Sequence, residues 1–423
     1  MPNPRNWAYN LLRKSERLFK TDMIYVARSG FWLTLGQVVS VGLAFISSLF
    51  FANVVPKEVY GNYKFIIATT SILGALSLTG MGTVVVQAVA RGAEGVFGDA
   101  VRTTLKWGVI MLGAAILSGG YYFAHDNSTL GFSFLIAGAS MLLINSYSLY
   151  GNYLVGKKNF KDGTVYNTIS QIVITTSVIL MAVLTKNILA IVSAYFIMGA
   201  ATTIFFYRRA VSKNHLNSVR DDSLIAYSKH ISVMNFFGTF ANQLDKVLIF
   251  HYLGAANLAI YVFAQAIPDQ FKGAFKNLFG IAFPKYATIP ESDLRSSIIK
   301  KVLQLTAISV ILALIYIFSA PFIFNLLFPK YIDAIFFSQI YILGLITIPG
   351  ITLFGIYFQV KKDVLMMYRL TAISHISTII VTVFFVYKYG LLGAVIANGL
   401  SWLIMLLAYG YYFLEDKPSF LSK

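Results

Sequence analysis

Apolar runs of 20 to 28 residues recur along the whole chain, separated by short polar breaks. An α-helix needs about 20 apolar residues to cross roughly 30 Å of hydrocarbon. The runs predict about twelve such helices. In the first half they cover 31–55, 65–90, 104–124, 129–155, 164–185 and 188–207. In the second half they cover 231–254, 258–285, 302–328, 334–360, 366–387 and 391–413.

One run departs from the pattern. Tyr261 to Tyr286 is apolar enough to span a bilayer, yet it carries Gln265, Asp269, Lys272 and Lys276 at intervals of four, three and four. Those intervals stack the side chains on one helix face. Charge at the bilayer centre costs about 2.5–3.5 kcal/mol per group, so the stripe faces protein or water rather than lipid. It reads either as ion pairs locking neighbouring helices or as one wall of a wet cavity. A second cluster, Asn242 to Lys246, lies in the preceding run. Counted from the intervening turn at 1.5 Å per residue, Asp245 sits about 14 Å deep and Asp269 about 16 Å deep. Asp245 is thereby placed to pair with Lys272, or Asp269 with Lys246.

The polar breaks set orientation. With the N-terminus inside, 26 of the 34 Lys and Arg fall on the cytoplasmic side, five fall outside, and Lys246, Lys272 and Lys276 remain in spans. Such asymmetry over short loops places both termini in the cytoplasm. The opening residues form no signal peptide and read as a basic amphipathic arm on the cytoplasmic surface. The longest break, 208–229, divides residues 1–207 from 230–423. Internal repetition supports that division: LYGNYLVGKK at Leu149–Lys158 matches LFGIYFQVKK at Leu353–Lys362, and Tyr63 aligns with Tyr261. The predicted fold is an all-α integral membrane protein, two six-helix bundles related by a pseudo-two-fold axis along the membrane normal.

Composition narrows the function. Hydrophobic residues make up 57% of the 423, charged residues 12%, and mean hydropathy is +0.70. The net charge of +17 lies in membrane-flanking loops and is a topology signal, not a nucleic-acid footprint. Cysteine is absent, which removes thiolate metal sites and thiol nucleophiles. No phosphate loop, H-E-x-x-H or EF-hand pattern occurs. The sequence therefore offers no catalytic residues, no metal site and no cofactor. Arg28 and Arg91, near cytoplasmic ends of the first two runs, read as snorkelling side chains or as a cationic mouth for a phosphate. Gln37 reads as an interhelical hydrogen bond, and Pro268 as a kink freeing carbonyls beside Asp269.

The stretches VVPKEVYGNY, NQLDKVLIFHYLGAANLAIYVFA, IAFPKY, LLFPKYIDA and YKYGLLGAVIANGLS together resemble bacterial polysaccharide-biosynthesis flippases. VVPKEVYGNY resembles the short link between the family's first two helices. NQLDKVLIFHYLGAANLAIYVFA is similar to its seventh-helix segment, and IAFPKY, LLFPKYIDA and YKYGLLGAVIANGLS follow in the family's order. The likeness covers nearly the whole chain. It implies the multidrug/oligosaccharidyl-lipid/polysaccharide exporter superfamily and its O-antigen (Wzx-type) branch. That branch flips undecaprenyl-diphosphate-linked oligosaccharide across the bacterial inner membrane by alternating access. Where many relatives carry Arg near the end of the second helix, this chain has Gln87, with Arg91 one turn later.

On this reading Lys272, Lys276, Lys246, Arg28, Arg91 and Gln265 form the substrate site. Asp269 and Asp245 tune the lysines or take a coupling H⁺ or Na⁺. Partners are the lipid-linked oligosaccharide, membrane lipid, and a glycan polymerase and ligase, with no nucleic acid. The alternative is a cation-coupled drug exporter of the same superfamily.

Overall fold

The computed structural model describes residues 23–214, 216–219, 223–286, 289 and 291–416. Side chains of 23–28, 223–226, 276–285 and 291–292 fall outside that description. The amphipathic arm expected at the N-terminus also lies outside the described residues. Every regular element described is helical. In chain order these are α1 (Met23–Val54), α2 (Lys57–Gly74), α3 (Met81–Ala90), α4 (Gly95–Ala124), α5 (Ser128–Tyr147), α6 (Leu149–Gly156) and α7 (Phe160–Leu184). There follow α8 (Ile188–Lys213), α9 (Ser223–Leu253), α10 (Ala255–Tyr286), α11 (Glu291–Leu327), α12 (Ala334–Tyr341), α13 (Ile348–Val360) and α14 (Val364–Glu415). Inside α14 the helix breaks at Gly390, with φ 57 and ψ −130. Each of the twelve apolar runs thus has its helix or pair of helices. Eight helical segments among the described residues are long and apolar enough to cross a membrane by themselves.

Two differences from the sequence expectation have physical causes. The second run is not one helix: it stops at Gly74 and resumes at Met81. The turn between is held by Gly80, whose backbone N–H donates to Ser232 Oγ at 2.9 Å. A Cβ on Gly80 would stand 2.4 Å from the Ser228 carbonyl oxygen, so only glycine allows this approach. Several helices also extend past their apolar runs, as α4, α8, α9 and α11 do. A helix satisfies its own backbone and can continue into water, so hydropathy marks the membrane boundary and not the helix end. The break expected at 208–229 is accordingly helical through Lys213 and again from Ser223.

The chain forms two compact units. One comprises residues 1–47, 73–185 and 189–235; the other comprises 48–72, 186–188 and 236–423. The segment Ser48–Ile72, from the first half of the sequence, thus packs into the unit built mainly from the second half.

The repeated motif makes the same device in each unit. In the first, Lys157 Nζ and Tyr153 Oη donate to the buried Glu94 carboxylate at 2.5 and 3.4 Å. In the second, Lys361 Nζ and Tyr357 Oη donate to Asp416 Oδ2 at 2.6 and 2.8 Å. Each helix then ends on a lysine in the left-handed region, Lys158 at φ 58 and Lys362 at φ 56. The next residue caps the following helix: Asn159 accepts from Asp162 N, and Asp363 from Met366 N. The chain segment after α8 fastens to the first clamp, since Asn217 Oδ1 accepts from Glu94 N and Asn217 Nδ2 donates to Gly92 O.

Within the second unit, Ser48–Ile72 is sealed by aromatic rings. Tyr60 lies 4.9 Å from Phe263 and Phe65 lies 3.7 Å from Phe250, ring centre to ring centre. Lys57 pairs with Asp333 at 2.9 Å, and Lys330 Nζ donates to the Asn53 carbonyl at 2.6 Å.

The Asp416 clamp carries a pH signature. Burial alone raises its carboxyl, but hydrogen bonds from Lys361 and Tyr357, with the charges of Lys361 and Arg295, outweigh that and hold it below the usual carboxylate range. A depressed carboxylate stabilises the fold above its unfolded value near pH 4, and that stability is lost as pH falls through the folded value. Asp416→Asn is expected to lower stability by about 1–2 kcal/mol at pH 7 and progressively less as pH falls through the folded value. Thermal unfolding of both proteins across that range checks it; an equal penalty at both ends would refute the clamp.

Candidate functional site

The charged stripe of α10 is present as the spacing predicted, but its partners are not those expected. Lys272 pairs with Asp269 on its own helix, Nζ to Oδ1 2.9 Å, instead of with Asp245. The reason is one of geometry: residues three apart on a helix face each other at no extra ordering cost. The ammonium is then closed in by two rings. Its Nζ stands 3.6 Å from the ring centre of Tyr341 and 3.6 Å from that of Trp402. Tyr341, the last residue of α12, also donates its hydroxyl to Asp269 Oδ1 at 3.1 Å. The two rings meet edge to face at 5.2 Å.

This cage meets the cost of burying a cation. A desolvated cation–π contact contributes about 2 kcal/mol, and a hydrogen bond to a charged group about 1.5–3 kcal/mol. Two faces and one carboxylate exceed the roughly 2.5–3.5 kcal/mol insertion cost of the lysine. The approach of Trp402 requires Gly344, where a Cβ would overlap the indole at 1.8 Å. The pair is lopsided: the Lys272 side chain is 9% exposed, while that of Asp269 is 49% exposed. The carboxylate is therefore the face this site presents.

A second network lies on the same helices. Asp245 Oδ2, on α9, accepts from Tyr261 Oη of α10 at 2.6 Å. Asn398 Nδ2 of α14 donates to that same Tyr261 oxygen at 2.7 Å. Asn398 and Trp402 are one turn apart, so α14 sends one residue to each network. Lys246 is 3.7 Å from Asp245 Oδ1, and its Nζ donates to the Asn242 carbonyl at 3.4 Å. Asp245 thus pairs with its sequence neighbour and a tyrosine, and Lys246 does not reach Asp269's partner set. α10 runs through Pro268 as one helix.

The remaining candidates are scattered. Gln265 is buried on the α10 stripe, between Tyr261 and Asp269. Arg91 lies in the other unit, exposed at the C-terminal end of α3. The side chains of Lys276 and Arg28 fall outside the described residues. The structure brings Asp269, Lys272, Asp245, Lys246 and Gln265 onto two successive helices of one unit, without Arg91. Sequence reasoning missed Tyr341, Trp402, Tyr261 and Asn398. The usable signal was Asn398 and Trp402 at a four-residue interval in an otherwise apolar helix.

With the geometry in place, comparison with known proteins is informative. The family model described as "Polysaccharide biosynthesis protein" matches residues 26–269. No curated protein sequence matches the chain. Among solved structures, "Lipid II flippase MurJ, inward closed conformation" superposes with a TM-score of 0.71 at 14% identity, covering 91% of this chain and 87% of that one. "Inward-facing conformation of a multidrug resistance MATE family transporter of the MOP superfamily" gives 0.69 at 13% identity, covering 92% and 98%. Its outward-facing counterpart gives 0.63 at 13% identity, covering 92% and 94%. These structures share the fold of this chain.

The cage makes a direct prediction about access. In the folded protein the Lys272 amine should react at least tenfold more slowly with a water-soluble acylating reagent than exposed lysines such as Lys158. Trp402→Leu removes one ring face and should raise that rate several-fold, read by peptide mass spectrometry. An unchanged rate would mean that Trp402 does not close the cage.

Proposed function

The chain belongs to the polysaccharide biosynthesis protein family, and from that premise we propose that it is a flippase for undecaprenyl-diphosphate-linked oligosaccharide. It is a multi-pass membrane protein with the fold of flippases and multidrug transporters. In this reading it sits in the bacterial inner membrane with both termini cytoplasmic, supplying an O-antigen or related polymerase and ligase. The prenyl tail stays in lipid while the diphosphate and sugars cross by alternating access.

The caged ammonium carries the proposal. Lys272 is a buried cation whose counter-charge, Asp269, is half exposed and replaceable. A diphosphate oxygen 4 Å from one ammonium gains about 4 kcal/mol per unit charge at an effective dielectric near 20. That is comparable with what the single carboxylate supplies, so substrate and Asp269 compete for one lysine. Lys246 and Lys276 add charge on the same two helices, Gln265 adds a hydrogen-bonding group, and Arg28 and Arg91 collect the diphosphate at the cytoplasmic side. Once displaced, Asp269 is free to take a coupling H⁺ or Na⁺. Asp245, which accepts a hydrogen bond from Tyr261, is the second candidate for that ion. Tyrosine rings and amides along α10 and α14 offer hydrogen bonds to the substrate.

One observation favours a second reading. Two ring faces beside a half-exposed carboxylate are also the recognition chemistry of an organic cation. If Lys272 swung out, the cage would suit a cationic drug, as in a cation-coupled exporter.

Reconstitution separates the two. Proteoliposomes carrying a fluorescent polyprenyl-diphosphate sugar, read by a leaflet-specific quencher, should show flipping that falls at least tenfold in Lys272→Ala. Protein level and orientation are matched by immunoblot. Full flipping in that variant would remove Lys272 from the substrate site; export of an organic cation without lipid flipping would favour the drug-exporter reading.

A further inference from the structure

The unit containing residues 73–185 holds a cavity of about 260 Å³ that the charged stripe does not touch. Its lining includes Ser77, Thr79, Thr83, Thr104, Asn145 and Asn152, and every lining residue is uncharged and non-aromatic. The broken stretch between α2 and α3 supplies Ser77 and Thr79. Irregular backbone at membrane depth persists only where protein buries it or where it borders a watery hollow. Thr79 and Thr83 are exposed at that wall.

The donors and acceptors around it are arranged rather than random. Asn145 Nδ2 donates to Ser77 Oγ at 3.1 Å and to the Gly74 carbonyl at 3.3 Å. Those bonds orient its carbonyl oxygen as an acceptor. Asn152 lies over Gly82, where a Cβ would come within 2.8 Å of its amide nitrogen. Asn235 Nδ2 donates to Thr79 Oγ1 at 3.3 Å, tying the broken turn to α9.

The chemistry selects the ligand. A diphosphate needs cations at the wall, and an organic cation needs a carboxylate or ring faces; the lining has neither. Hydroxyls and carboxamides, each donor and acceptor, match the hydroxyls of a neutral sugar. The volume falls just short of the roughly 300–1,000 Å³ typical of pockets for drug-sized ligands, which admits one ring rather than a whole oligosaccharide. We propose that this cavity is a subsite for a single uncharged sugar ring, separate from the charged stripe of α10. The assignment deepens the flippase reading, on which it rests for the source of the sugar.

The test uses the full chain in lipid nanodiscs, free of glycoside detergent. Probes are the methyl glycosides of glucose, galactose and mannose, with methyl glucuronate as the charged control, read by saturation-transfer NMR. At least one neutral glycoside should bind more strongly than the glucuronate. Asn145→Leu and Thr83→Val should each weaken that binding at least fivefold. Thr83→Val exchanges an exposed hydroxyl for a methyl, so its thermal stability should not fall, which separates lost binding from lost fold. No binding by any neutral glycoside, or binding that both variants keep, overturns the subsite. Lipid flipping is measured in parallel. Flipping without glycoside binding ends the subsite alone; glycoside binding without flipping ends the flippase reading and leaves the subsite standing.

Discussion

An ammonium ion inside a membrane helix has to find everything water would have given it within reach of its own side chain. Lys272 meets that requirement with one carboxylate and two ring faces drawn from three elements: α10, α12 and the second part of α14. The demand is directional. Asp269 comes from the same helix face, so it is present whenever α10 forms. Tyr341 and Trp402 come from elsewhere in the chain, so they are present only when the unit is assembled. The lysine therefore binds the second half together and at the same time keeps a charge whose counter-ion remains half exposed. A fully buried pair would be inert, and an unpaired lysine would not insert cheaply. The lopsided exposure of the two partners lies between those limits.

The same requirement explains the repeated motif at the other end of the helices. Tyr153 and Lys157 in one half, and Tyr357 and Lys361 in the other, hold the same positions 204 residues apart. Each pair grips a carboxylate, yet the acids come from unrelated places: Glu94 from the α3–α4 turn, Asp416 from beyond α14. What the repeat keeps is the cationic half of the clamp and the left-handed lysine that ends the helix. The backbone shows the repeat again at Lys186, φ 48, and Gly390, φ 57, also 204 residues apart. A positive φ there lets a chain leave one membrane helix and start the next within a few residues. Glycine adopts it freely; lysine does so at a modest cost that the surrounding helices over-determine.

The sequence made the helices legible because a bilayer imposes a length and an apolarity that composition alone reveals. All twelve runs have helical counterparts, and the stripe Gln265–Asp269–Lys272 could be read from spacing. The cage could not. Tyr341 and Trp402 are aromatic residues among many, and nothing in a linear pattern says which rings will meet a lysine 69 and 130 positions away. The pairing of Asp269 with Lys272 was legible in principle, since three-residue spacing favours it over any cross-helix alternative. The break after Gly74 was hidden for a different reason. Its apolar flanks keep the hydropathy of a continuous span, and the contact that stabilises it, Gly80 against Ser228 and Ser232, joins residues about 150 apart. Neutral cavities leave still less trace, because serine, threonine and asparagine in a membrane helix usually bond to the preceding turn.

The two halves show how one backbone position can answer the polar problem in two ways. At the offset of 198 residues that aligns Tyr63 with Tyr261, Gly74 corresponds to Lys272. With no side chain at Gly74, Met141 and Asn145 fill the space: an added Cβ would meet Met141 Cε at 2.9 Å and Asn145 Nδ2 at 3.4 Å. The helix ends there, and its carbonyl accepts from Ser77 and from Asn145. At Lys272 the helix continues, because the side chain itself is the polar element and its cage holds the turn in place. A charged side chain on an intact helix and neutral amides around a broken one are alternative means of keeping polarity inside hydrocarbon. The first suits an anion, and the second suits a ligand with hydroxyls and no charge. A carrier whose cargo has both parts has reason to keep one of each.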